Sequence, residues 1–389
     1  MKMEICHQLG RNFRCAKESQ TQDGTGEGLI LAPRYMERKT VRALPLSLKQ
    51  KSIFDPQFFV PDVARGSLAT YDFFPCLCND IDECSRKCVN FQLHNNFRYI
   101  VIPTQFEEGM QTGFIERQLE RFINPFLNAI ANIGTNKDVL LQLVVTREML
   151  IDKDEKGRPR FPNKLLNIIT GIRRISGVYL IFDHHYTSQQ IKNIGFLTAA
   201  LRFINGFAIE NEMDVILGYL NTEAILYSIT GPKIVTIGSM SATRKFKVKH
   251  FEKKEEGEGG FPQARSRIYF PTLLQWITPS RVAEIAQKMA DQRGFFGPRE
   301  YQSVVTRHPQ ERKKVYLHHL LAFSRQLRII GDLEGKERFL RVRTMMEKAV
   351  ENFALMDSRD IELNPDNNGS HLKKWLKVAR EFGKKQGWE

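Results

Sequence analysis

Apolar and polar positions alternate along this chain in blocks. After a polar opening, short apolar runs separate stretches of helical period. The strand-like runs are 29–35 (LILAPRY), 52–60 (SIFDPQFFV), 98–104 (RYIVIPT), 139–146 (VLLQLVVT), 177–183 (GVYLIFD), 214–219 (DVILGY), 233–239 (KIVTIGS) and 265–271 (RSRIYFP). Helix-period stretches follow at 115–133, 163–175, 189–204 and 222–230. Strands that are apolar on both faces and separated by helices predict a parallel sheet covered on both sides. Eight of them predict a (β/α)8 TIM-type barrel. The competing architecture is an open doubly wound sheet. It would usually carry a Gly-rich first turn, and none follows the first run.

After Thr278 the pattern becomes helical only, at 279–292, 311–331, 335–356 and 370–384. The division expected is a mobile lead over 1–27 (its TQDGTGEG is polar and Gly-rich), a barrel over 28–278, and a helical, basic region over 279–389. The core implied by 42% hydrophobic residues is sizeable. No apolar stretch is long enough to span a membrane. Six cysteines and an opening without an apolar export segment point to a reduced, cytoplasmic setting.

Charge changes the picture. The formal net charge is +14, which points to a polyanionic partner, nucleic acid first. Further subunits or a second copy are the other partners expected. One basic run is RKFKVKHFEKK at 244–254. Its Lys245, Lys247, Lys249, Lys253 and Lys254 are candidate phosphate contacts. A second basic region is the tail.

In a barrel, chemistry sits at the C-terminal ends of the strands. Those ends offer Arg34 and Tyr35, Asp55 and Gln57, Thr104, Thr146 and Arg147, Asp183 with His184 and His185, Tyr219 and Asn221, and Gly238 with Ser239. Asp55 and Asp183 end two different strands, so they are the candidate catalytic carboxylates. Each could equally cap the turn or helix that follows it. Gln57, His184, Tyr219, Gly238, Ser239 and Arg244 are expected to line a substrate pocket. Separately, CLCNDIDECSRKC places Cys76, Cys78, Cys84 and Cys88 in one short segment. Four thiolates this close suit Zn²⁺ or, less readily, an iron–sulfur cluster. Free thiols on a loop are the simpler reading.

The segment RKKVYLHHLLAFSRQLRII, at 312–330, carries adjacent His318 and His319. Neighbouring side chains on a helix point about 100° apart, so one ion rarely takes both. A barrel followed by such a helix resembles the tRNA-guanine transglycosylase family, as a remote relative. The segment 218–251 resembles that family's strand ending in Thr-Arg, matched here by Thr243 and Arg244. The stretch IFDPQFF resembles its strand ending in an acid and a Phe-Gln turn. The resemblance implies base exchange in DNA or RNA, with guanine or a 7-deazaguanine base as the exchanged group. It places Asp55 at the assisting acid. It also implies that His318 and His319 belong to a helix docked on the barrel.

Departures from the family are specific. Its nucleophilic aspartate falls on Gly238, and its zinc cysteines have no counterpart at 293–314. Asp183 is then the expected nucleophile toward the ribose C1′, with Asp55 as general acid–base. The alternative is a catalytically degenerate barrel that binds nucleic acid or scaffolds other subunits. A third reading is an unrelated metal-dependent hydrolase using Asp183, His184 and His185.

Overall fold

The computed structural model describes residues 2–11, 13–109, 113–184, 190–253, 267–292, 294–307 and 310–389. His185 and Lys254 lie outside them. Eight parallel strands form one sheet: β1 (Glu4–Gln8), β2 (Gly28–Leu31), β3 (Ile53–Phe54), β4 (Ile100–Ile102), β5 (Val139–Thr146), β6 (Gly177–Asp183), β7 (Asp214–Gly218) and β8 (Ile234–Gly238). Their order is β3-β2-β1-β8-β7-β6-β5-β4. The seam between β3 and β4 is drawn together by Arg98 N–H donating to Ser52 O and Phe106 N–H donating to Phe59 O, both at 3.0 Å. The chain is therefore a nearly closed TIM-type barrel.

Two strands differ from the expectation. The lead over 1–27 is not a loose segment: β1 lies between β2 and β8, and α1 (Phe13–Asp23) packs outside it. Its sequence, EICHQ, hides this because Glu4 is polar for a reason of its own. Glu4 takes two hydrogen bonds from Arg98, at 2.6 and 2.7 Å, at the base of the barrel. The run at 265–271 is no barrel strand. Its described part forms β9 (Ile268–Phe270), which pairs antiparallel with β10 (Gln275–Ile277) in a separate two-stranded sheet.

Outside the sheet lie α2 (Ile81–His94), α3 (Asn124–Ile133), α4 (Phe161–Thr170) and α5 (Ile194–Ala208). Five residues of π-helix, Leu119–Ile123, precede α3. Pro125, just beyond, has no N–H to continue the regular ladder, and a bulge absorbs the missing bond. The C-terminal helices are α6 (Pro279–Lys288), α7 (Arg312–Gly331), α8 (Gly335–Asp357) and α9 (Ser370–Lys385). No helix among the described residues is long and apolar enough to cross a membrane.

Helix α7 belongs to the barrel wall. It packs on β1, β8 and α1, and Met3 N–H donates to Gly331 O at 3.0 Å. His318 and His319 are both buried on its inner face. His318 Nε2 lies 2.8 Å from Tyr269 O. The His319 ring sits against Trp276, Tyr269 and Phe323, with centroids 4.5, 5.4 and 5.5 Å away. The pair fastens α7 onto the β9–β10 hairpin.

Candidate functional site at the barrel mouth

Strand alternation sends every second side chain into the barrel. Cys6, Ile30, Ile53, Val101, Leu140, Ile216 and Ile234 make an apolar cluster within it. Toward the C-terminal ends the lining turns polar: Gln8 from β1, Asp55 after β3, Gln142 from β5 and Tyr179 from β6. These side chains are all buried. Gly218 on β7 leaves room for the Tyr179 ring, since a Cβ there would lie 2.5 Å from it.

Asp55 is the hub of this layer. Its Oδ1 accepts from Gln57 N–H at 3.1 Å and from Gln142 Nε2, and Tyr179 lies beside it. Tyr179 OH donates to Gln8 Oε1 at 3.2 Å. Gln57 links three loops. It donates through Nε2 to Tyr219 OH at 3.0 Å and accepts from Arg34 N–H at 3.1 Å. Gln57 and Tyr219 both adopt left-handed backbone, with φ of 59° and 55°. Such conformations cost of order 1 kcal/mol or more in residues with a Cβ and cluster at functional sites. Burial pushes the Asp55 carboxyl up to about 7, against the pull of its hydrogen bonds from Gln142 and Gln57. Among the described residues, Asp55 Oδ2 has no hydrogen-bond partner.

Above this layer the mouth is plugged by aromatics. The Phe59 ring packs edge-on against Phe246 and Phe251, with centroids 4.9 and 4.7 Å away, and Tyr219 packs on Phe246 at 5.6 Å. The basic run supplies two of these rings. In KFKVKHF, Phe246, Val248 and Phe251 pack inward while Lys247 and Lys249 are exposed. Lys253 is exposed as well, and Lys245 is half-buried.

Asp183 does not join Asp55. In the β5–β6 register, Gln142 pairs with Tyr179 and Thr146 with Asp183. Asp183 thus sits four residues further up the strand than the Asp55 layer, about 13 Å at ~3.3 Å per residue. Its companions are others. Lys245 feels the charge of both Asp183 and Glu223, and burial with Lys247 nearby lowers its pKa. Glu223, absent from the sequence-derived candidates, is buried, and burial pushes it up to about 7. It accepts from Asn221 N–H at 2.9 Å, and Asn221 Oδ1 accepts from Trp276 Nε1 at 2.8 Å. The signal for it was there: an acid opening the short helix Glu223–Tyr227, right after a barrel strand. The His184 ring lies edge-on to Phe196 at 6.1 Å.

Arg244 is buried over the Trp276 ring, 3.9 Å from its centroid, and donates to Ser239 O at 3.0 Å. Burial lowers it to about 10. It serves as a strut between β8 and the hairpin. Gly238 has a steric reason to be glycine. A Cβ there would sit 2.4 Å from Thr243 Oγ1 and 2.6 Å from Thr243 O. It lines no pocket with a side chain, and Ser239 contributes its carbonyl.

The four cysteines do not make a ligand set. Among the described residues, no group of three or more His, Cys, Asp or Glu side chains is arranged to hold a metal ion. Cys84 and Cys88 lie four residues apart on the buried face of α2, and Cys84 donates to Phe73 O at 2.8 Å. Burial pushes both thiols upward, with Cys88 and Cys78 adding to the shift at Cys84. Cys78 donates to Asp72 O at 3.3 Å, and Cys76 is exposed. The residues present do not fit Zn²⁺ or an iron–sulfur cluster.

No known protein family matches this chain, and no curated protein matches it either. Among solved structures it is similar to dihydrodipicolinate synthase from Oceanobacillus iheyensis. The identity is 9% and the TM-score 0.33, over 98% of this chain and 97% of that one. The synthase from Bacillus clausii is 10% identical, with a TM-score of 0.31 over 96% of each chain. Likenesses this loose say nothing about chemistry.

Proposed function

We propose that this barrel is a nucleic-acid-binding protein that takes phosphates at its C-terminal mouth. The observation that carries this reading is a ring of cations without carboxylate partners. Arg11, Arg34, Arg65 and Lys247 come from the loops after β1, β2, β3 and β8. Together they help depress His250, whose pKa burial in the first place lowers to about 4. None of the four pairs with an acid among the described residues. Exposed Lys249 and Lys253 extend the ring outward. A backbone-tracking site needs such a surface, and its binding must weaken with salt.

Lys245 has a different role, since it faces Asp183 and Glu223. The phosphate test therefore uses its neighbours. Lys247→Ala with Lys249→Ala is expected to weaken binding of a single-stranded oligonucleotide. The slope of log K against log salt should flatten by about 1.4, at ~0.7 per lost contact. Unchanged affinity at every salt concentration would reduce both lysines to solvated surface.

A second reading is favoured by one observation, the near-neutral Asp55. It is base exchange on nucleic acid, as in the transglycosylases that the sequence resembles. Asp55 would move the proton to or from the exchanged base, while Asp183, the expected nucleophile toward the ribose C1′, would have to close the ~13 Å that separates it from the Asp55 layer. The base would have to leave its stack and displace the Phe246 plug to reach Asp55. What supports this reading is that the chain keeps an acid where it costs stability. A carboxyl whose folded pKa is raised binds its proton more tightly when folded. Its contribution is fully present below about pH 4, where both states are protonated, and is lost as pH rises through 7. The loss is about 4 kcal/mol at ~1.36 kcal/mol per pKa unit. Asp55→Asn keeps the Oδ1 acceptor and removes the charge. It should be close to neutral at pH 4 and stabilising at pH 8, measured by urea unfolding, with oligonucleotide binding intact. In exchange of a labelled guanine or 7-deazaguanine base, it should slow the rate by roughly 10²–10⁴-fold. Wild-type protein that exchanges no base leaves binding alone.

A further inference from the structure

Arg34 is the least explained charge in the molecule. It is 7% exposed, yet among the described residues its guanidinium makes no hydrogen bond, and Nη1 is shut off from solvent without a partner there. Only its backbone is engaged: N–H donates to Gln57 Oε1 and O accepts from Ser67 N–H. The side chain lies between two rings, 5.0 Å from the Phe251 centroid and 5.3 Å from that of Tyr35. The cations near it among the described residues are Arg65 and Arg11, both repulsive, while Tyr35 and Tyr219 favour its charge. Arg65 cannot swing away. Its Nη1 is anchored on three carbonyls of the loop after β8, those of Lys249, His250 and Glu252, at 3.4, 3.3 and 2.9 Å.

Burying one charge without a partner costs several kcal/mol, and crowding like charges beside it adds to that. A site built this way is completed by an anion. Its demand is also larger than one internal phosphodiester meets, since a diester carries a single negative charge and the cluster holds four cations. A terminal phosphate monoester carries about −1.5 to −2 and presents three acceptor oxygens to the planar fork of an arginine. On the reading that the mouth binds nucleic acid, we propose that Arg34, Arg11, Arg65 and Lys247 form a subsite for a terminal phosphate of the strand. Tyr35 and Phe251 flank it, and the rings offer apolar faces to the adjoining sugar or base.

The test uses the full chain. Oligonucleotides of one sequence are compared by fluorescence anisotropy, ending in 5′-phosphate, 3′-phosphate or hydroxyls only. Inorganic pyrophosphate is titrated separately while the thermal midpoint is followed. One phosphorylated end is expected to bind at least about tenfold more tightly than the hydroxyl form, ~1.4 kcal/mol. Pyrophosphate should raise the midpoint. Arg34→Met should erase both effects and raise the midpoint of the ligand-free protein, because it removes a buried charge that, among the described residues, only the faces of Tyr35 and Phe251 compensate. Equal binding of all three oligonucleotides overturns the terminal-phosphate subsite while leaving nucleic-acid binding in place. Pyrophosphate protection lost in Arg34→Met, with no oligonucleotide bound, keeps the anion subsite and overturns the strand as its source. A ligand-free Arg34→Met that is less stable than wild type shows that Arg34 is a packing residue, and the subsite falls.

Discussion

Placing aspartate at position 238 is expected to disrupt the barrel mouth, not to arm it. The family resemblance puts a nucleophilic aspartate there, so the substitution looks like a restoration. The geometry forbids it. The new Cβ would meet Thr243 Oγ1, O and C at 2.4, 2.6 and 2.7 Å. Two of those are backbone atoms, and Thr243 is itself held by hydrogen bonds with Met240, N–H to O at 3.0 Å and Oγ1 to O at 2.8 Å. Overpacking of this kind costs about 1–3 kcal/mol, and a buried, unpaired carboxylate adds more. Gly238→Asp should therefore lose at least ~3 kcal/mol in urea unfolding. Gly238→Ala should lose most of that too, because the clash begins at Cβ. An alanine variant as stable as wild type would show that the loop after β8 moves freely, and the position would again be open to a catalytic group.

Mild acid is expected to unfold the protein between about pH 6 and 4. His7, His318, His319 and His371 are buried. Burial lowers His7 and His318 to about 4 and His371 to about 3, and drives His319 well down, with Arg244 adding to it. These are bases whose folded pKa lies below the unfolded value near 6.5. The unfolded chain takes up protons first as pH falls. Stability is thus present above about 6.5 and is lost on the way to 4. His7 and His318 each cost about 3 kcal/mol and His371 about 5, at ~1.36 kcal/mol per unit, and His319 acts in the same direction. His7, His318 and His371 together come to about 11 kcal/mol, comparable with the ~5–15 kcal/mol that holds a typical domain, but Asp55 and Glu223 oppose them. Both carboxyls are raised to about 7, and together they return about 7–8 kcal/mol over the same range. The balance remains a loss of several kcal/mol. His319→Phe keeps the aromatic contacts with Trp276, Tyr269 and Phe323 and removes one titration. Its acid midpoint, followed by circular dichroism, should move to lower pH. An unmoved midpoint would exclude His319 from the transition.

The periodic blocks of the sequence were enough for the barrel itself. Strands β5, β6, β7 and β8 are apolar on both faces because sheet and helices cover both, and that double covering is written residue by residue. The four long C-terminal helices were legible for a similar reason, since each keeps a helical period. Strand pairing was not legible. Apolarity reports burial, not the identity of the neighbour. EICHQ has a charge and two polar residues in five positions, yet it is central, because Glu4 meets Arg98 and Gln8 meets Tyr179 across the lumen. IYF at 268–270 is fully apolar, yet it pairs outside the barrel. The position of the site at the strand ends followed from the fold class, and Asp55, Gln57 and Tyr219 were named on that ground. Their union with Gln142, the separation of Asp183 from Asp55, and the approach of Lys245 to Asp183 and Glu223 depend on register and stagger, which no local pattern encodes. The same holds for Arg34: its residue type was visible in the sequence, but only the tertiary structure surrounds it with cations and leaves it without an acid.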